Sequence, residues 1–218
     1  MTNTEEINSL RQQANTFLLA GEYQAAEECF TKLINKNPSC WAYAHRGEAR
    51  CYLHCFPDAL ADFQKAVNQS DGTPRNYAWA YAHWGYTLHQ TLQYQEAREK
   101  LNEAVRLDPN YAWAYAHRGA TYIIWQGSSE LDLALADFNK AIELFKGYAW
   151  AYAWRSVIHL HKKQCTEAYM DLLTAMTLDP TIMRHELAGE LEKLKKKDVS
   201  KAEDTNYVPS VQTDTTES

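Results

Sequence analysis

The side chains of this chain best suited to chemistry recur on a ruler. Trp41, Trp79, Trp113 and Trp150 stand 38, 34 and 37 residues apart, and four positions after each comes His45, His83, His117 or Trp154. An ordinary imidazole changes charge near neutral pH and offers two ring nitrogens, whereas an indole offers a broad apolar face and one N–H. Two chemistries fit. The rings can form a ladder whose histidines orient a ligand and titrate near neutrality, or each tryptophan can simply pack on its i+4 neighbour and on the next helix. One histidine per unit is too sparse for His45, His83 and His117 to share a metal.

Cys51, His54 and Cys55 could be half of a metal site, but a closed site needs a second ligand pair and none is visible in the sequence. The five cysteines are odd in number and lack paired short spacings, so reduced thiols are expected, with no metal and no cofactor. No Ser, His and acid set and no phosphate-cradling glycine loop appears, which points away from an enzyme. A formal net charge of -6 argues against a general phosphate-binding surface. No apolar run approaches a membrane span, and Met1 to Ser9 is polar and acidic, unlike a secretory leader; a cytoplasmic protein with no membrane partner is expected.

The elements that must carry these residues are near-copies of one stretch. Tyr111 to Gly119 reads Tyr-Ala-Trp-Ala-Tyr-Ala-His-Arg-Gly and recurs as Trp41 to Gly47, Tyr77 to Gly85 and Tyr148 to Ser156. Its alternation of large and small suggests a strand, but alanine is the best helix former and a poor strand former, so the spacing predicts helices. Each helix is followed by a second with an apolar series: Ala26, Phe30, Leu33; Ala59, Phe63, Ala66; Ala97, Leu101, Ala104; Ala134, Phe138, Ala141; Ala168, Leu172, Ala175. Gly21, and the prolines Pro38, Pro74, Pro109 and Pro180, supply breaks. The expected organisation is a lead-in at 1-6 and five helical hairpins at 7-40, 40-73, 78-111, 112-148 and 149-182. The fourth hairpin takes about three extra residues near Gly127. A capping helix at 183-199 carries Met183, Leu187, Leu191 and Leu194, and a disordered tail fills 200-218.

A large aromatic, a glycine four positions later, and an Ala, Phe, Ala series ending in proline resembles the tetratricopeptide repeat over about residues 7-182. Arg50 and His159 stand where that family has a large apolar residue, Lys146 replaces the proline, and Ser156 replaces the glycine. The resemblance implies an all-α, right-handed α-solenoid of helix-turn-helix repeats whose concave face is lined by first helices and commonly binds peptides. Gly47, Gly85 and Gly119 would let each first helix approach Ala59, Ala97 and Ala134 of its partner.

On a helical wheel the core stripe of the fourth unit is Tyr115, Gly119 and Tyr122, with Trp113 and His117 on the opposite side. The second face reads Trp41, His45, Glu48, Tyr52; then Trp79, His83, Tyr86, Gln90; then Trp113, His117, Ala120, Ile124; then Trp150, Trp154, Val157, His161. In the family these positions look into the groove. The function expected is a noncatalytic protein-protein interaction scaffold holding an extended peptide against Trp41, His45, Trp79, His83, Tyr86, Trp113, His117, Trp150 and Trp154. Single-stranded nucleic acid, stacked on the tryptophans and held by arginines, is the second reading. Arg46, Arg118 and Arg155 are expected to pack their stems and solvate their heads. A third reading follows from the resemblance. Arg11 and Asn15 occupy positions similar to the first pair of the family's carboxylate clamp, while His45, Trp79 and His83 replace its other members. The sequence specifies no particular partner and no oligomeric state.

Overall fold

A computed structural model describes residues 3–69 and 71–182. Among them lie ten α-helices: α1 (Asn3–Leu19), α2 (Tyr23–Lys36), α3 (Cys40–Tyr52), α4 (Phe56–Val67), α5 (Pro74–Gln90), α6 (Tyr94–Leu107), α7 (Ala112–Gln126), α8 (Leu131–Leu144), α9 (Ala149–His161) and α10 (Cys165–Leu178). Each odd-numbered helix packs most extensively on the even-numbered helix after it, and each even-numbered helix packs on the next odd one. Odd helices α3, α5 and α7 also meet one another directly and form the inner layer, with the even helices outside. None of the described helices is long and apolar enough to cross a membrane. The expected capping helix and tail fall outside the described residues.

The breaks act as the residue types dictate. α2, α6 and α10 stop two residues before Pro38, Pro109 and Pro180. The turn inside the first hairpin uses Gly21 at φ +76°, while the matching turns place His54, Leu92 and Lys163 at φ 59°, 63° and 60°. Two starts differ from the sequence reading. α1 begins at Asn3, inside the stretch taken as a lead-in. α5 begins at Pro74, ahead of 78, because Thr73 accepts from Asn76 N and Asn76 Oδ1 accepts from Thr73 N, and proline suits the first helical position.

The alternating alanines have a packing reason. Residues two apart on a helix point about 200° apart, so Ala80 faces back to Ala44 and Ala66 while Ala82 faces forward to Ala104 and Ala114. Ala114 and Ala116 repeat this division one unit on. The small residues therefore lie at both neighbouring interfaces, fully buried, and the large rings project between them. The glycines permit the closest contacts: a Cβ on Gly47 would sit 2.9 Å from Phe63, and one on Gly85 would sit 2.6 Å from Leu101. Ser156 fits the equivalent place by turning its hydroxyl onto Ala153 O.

Candidate functional site

The tryptophans and histidines of the inner helices interleave into one column. His45 lies between Trp41 and Trp79, with ring centroids 4.6 and 4.3 Å away. His83 lies between Trp79 and Trp113 at 3.8 and 4.5 Å, and His117 between Trp113 and Trp150 at 3.8 and 4.7 Å. Trp154 closes the far end against Trp150 at 5.7 Å, and the Arg11 guanidinium covers Trp41 at 5.0 Å. Each histidine thus bridges its own tryptophan to that of the following unit. Tyr86 meets Trp113 and His117 edge-on. The two sequence readings merge here. Trp154 and His83 are buried, and Trp41, Trp79, Tyr86, Trp113, His117 and Trp150 keep part of their surface open.

The stacking changes the acid-base chemistry expected of the histidines. Burial lowers His83 to about 4, outweighing the pull of the Glu48 carboxylate, and lowers His117 well below the ordinary value. Both are neutral near pH 7 and do not titrate there, contrary to the expectation from their ordinary chemistry. His45 donates from Nδ1 to Glu48 Oε2 at 3.1 Å when that nitrogen carries the proton.

The arginines also depart from expectation. Arg46, Arg118 and Arg155 do not solvate their heads; each makes a two-bond fork on Asp62, Asp137 or Asp171 of its partner helix, at 2.6–2.8 Å. Each also donates backwards, to Thr31, Asn102 or Asn139 of the preceding unit. One guanidinium therefore ties together three helices. Arg50, in a position expected to be apolar, pairs with Glu27 and Asp62 instead, and His159 approaches Asp171 at 3.6 Å. In the α5/α6 unit Trp84 stands at the arginine position and Lys100 at the aspartate position, with Lys100 Nζ 4.1 Å from the ring centre. The aspartates were legible as the residue just before Phe63, Phe138 and Leu172, a regularity the sequence reading passed over.

The rest of the predicted chemistry is distributed. Cys51 is buried and accepts from Thr87 Oγ1 at 3.4 Å, whereas Cys55 is exposed and turns to Leu53 O. Arg11 and Asn15 do share a cleft of about 480 Å³ with Asn8, Gln12 and Asn76, at the α1 end of the inner layer. The next clamp positions are filled by the stacked rings of His45, Trp79 and His83, which present no fixed cation there.

A second cleft, of about 540 Å³, opens over the middle and far end of the column. Its walls include Tyr52 of α3, Tyr86, His89 and Gln90 of α5, His117 and Ile124 of α7, and Trp150 and Trp154 of α9. None of its described lining residues is Lys, Arg, Asp or Glu. His89 was not singled out from sequence. Its Nδ1 lies 3.0 Å from Thr121 Oγ1, and burial lowers its pKa to about 4. Tyr52 and Ile124 are the open large hydrophobic walls, at 47% and 42% exposure.

Residues 85–123 match the family model described as TPR repeat. Among solved structures, the chain resembles TTC0263, a thermophilic TPR protein of Thermus thermophilus, at 22% identity over 85% of this chain and 98% of that one, with a TM-score of 0.67. MamA from Desulfovibrio magneticus RS-1 aligns at 19% identity over 83% and 98% of the two chains, TM-score 0.62. YrrB, titled a TPR protein with an unusual peptide-binding site, aligns at 22% identity over 88% and 98%, TM-score 0.59. No curated protein matches the chain. Together with its paired helices, these likenesses give the chain the fold of an all-α helical-hairpin solenoid, like that of the tetratricopeptide-repeat proteins it resembles.

Proposed function

We propose that this chain is a noncatalytic scaffold that holds an extended peptide segment of a partner protein against the aromatic inner face. The observation that carries the reading is the 540 Å³ cleft, walled by rings from four successive inner helices and free of charged described lining residues. Ring faces supply apolar contact for side chains, and phenol, indole and amide groups supply hydrogen bonds to a peptide backbone. Single-stranded nucleic acid fits less well. Base stacking needs open ring faces, and in this column histidines occupy them; phosphate needs available cations, and Arg46, Arg118 and Arg155 are committed to aspartates. YrrB offers a precedent of fold only, since its similarity does not reach the level at which a binding mode transfers.

Selection from a random dodecapeptide display library tests the reading. Peptides recovered on the wild-type chain should lose affinity about tenfold or more on the double variant Tyr52→Ala, Ile124→Ala, which trims two open walls without entering the column. Recovered peptides that bind both chains equally would place binding elsewhere.

A further inference from the structure

Carboxylates drawn into the body of the solenoid are nearly all held by arginine. Asp62, Asp137 and Asp171 take the forks of Arg46, Arg118 and Arg155, and Glu27 pairs with Arg50. Glu48 differs. Its side chain is 15% exposed, its ion-pair contact is with His45 at 3.1 Å, and no lysine or arginine among the described residues lies within 4.0 Å of it. A largely buried carboxylate with no lysine or arginine beside it is an acceptor that a cationic side chain can pair with.

Its neighbours are suited to a cation. One turn along the same face of α3 stands Tyr52, whose ring stacks on Tyr23 at 4.4 Å and 14°, and Tyr86 of α5 shares the cleft with it. Burial, and then the nearby negative charge of Glu48, push the Tyr52 phenol up to about 12, with Tyr23 and Tyr86 adding to the effect. Burial opposes charge of either sign, and only the Glu48 carboxylate's share of the effect favours a positive group here. Electron-rich ring faces add to that preference, and elsewhere this fold already seats Lys100 over Trp84 and Arg11 over Trp41. His83, across from Glu48, is neutral at pH 7 and adds no opposing charge. The net charge of -6 attracts basic partners at longer range.

We infer that the edge of the cleft at Tyr52 and Tyr86, with Glu48 one turn back along α3 and outside the cleft's own lining, takes an arginine or lysine side chain projecting from the bound segment, its cation resting on the tyrosine rings and paired with the Glu48 carboxylate. The inference builds on the peptide-groove reading and specifies the charge of the partner at one position.

The display selection provides the probe. Peptides whose binding depends on Tyr52 and Ile124 should share a lysine or arginine at one position, and replacing that residue by neutral citrulline or norleucine in a synthetic peptide should weaken binding to the wild-type chain about tenfold. On Glu48→Gln, which keeps an acceptor for His45, the charged and neutral peptides should bind alike. Tyr52→Leu, which leaves Glu48 in place, should halve or more than halve the preference and serves if Glu48→Gln melts early. Groove-dependent peptides with no basic position, or a preference for charge unchanged in both variants, would overturn this inference while leaving the groove reading standing. Recovery of no groove-dependent peptide would overturn both.

Discussion

Two ladders run along the solenoid, and they tolerate interruption differently. The arginine–aspartate forks occupy the α3/α4, α7/α8 and α9/α10 units but skip α5/α6, where Trp84 and Lys100 replace them. The ring column passes through every inner helix from α3 to α9 with no unit omitted. An ion-pair fork is complete within one unit and its neighbour, so one unit can exchange it for a cation–ring contact. A stack is continuous by nature, because each histidine needs the tryptophan of the next unit. The contrast separates two jobs: forks fasten individual hairpins, and the column sets the spacing of inner helices and so the form of the cleft.

The contrast yields graded outcomes. Asp137→Ala should have the largest effect, about 3–5 kcal/mol in urea unfolding, because it leaves the half-buried Arg118 charge uncompensated. Trp113→Ala, in the middle of the column, should cost about 3 kcal/mol. It should also broaden the melt by uncoupling the units on either side, as expected when neighbour contacts carry repeat stability. A sharp transition shifted no further than that of an exposed substitution would break the comparison.

Protonation should strain the column in mild acid. Folded His83 titrates at about 4, lowered by burial, against 6.5 in the unfolded chain, and His117 is lowered for the same reason. The unfolded chain takes up these protons first as pH falls, so the stability the histidines contribute is complete above about pH 6.5 and is lost towards pH 4. Melts between these limits should lose up to about 1.4 kcal/mol per pH unit for each histidine. His83→Phe, which keeps a ring without a titrating nitrogen, should remove one histidine's share of this slope and leave the share of His117. The smallest effect should come from Lys100→Ala, about 0.5–1 kcal/mol, since a cation over an accessible ring is a weak contact. A loss equal to that of Asp137→Ala would mean that the α5/α6 unit is fastened as strongly as its neighbours.

Much of this architecture was legible in the chain. The period of the tryptophans, the glycines facing Phe63, Leu101 and Phe138, and the prolines after α2, α6 and α10 each act by local sterics that a residue type fixes. The Arg–Asp forks escaped because the partners lie 16 or 19 residues apart on different helices, beyond any within-helix spacing rule. The histidine protonation escaped for a related reason: an i+4 tryptophan was visible, but the second tryptophan that closes each imidazole from water comes from the next unit. The start of α5 was legible in Thr73, Pro74 and Asn76, which form a helix entry when read as a cap and not as loop residues.

The central claim is that the column is structural while the open rim of the cleft recognises a peptide, and the double variant Tyr52→Ala, Ile124→Ala tests it most directly. Its melt and its affinity for a wild-type-selected peptide would be measured together by calorimetry. The account predicts a stability loss of about 0.5–1.5 kcal/mol, that of the Tyr52–Tyr23 ring pair and well short of the Trp113→Ala loss, with affinity down about tenfold or more. Unchanged affinity, or a melt as damaged as that of Trp113→Ala, would contradict it.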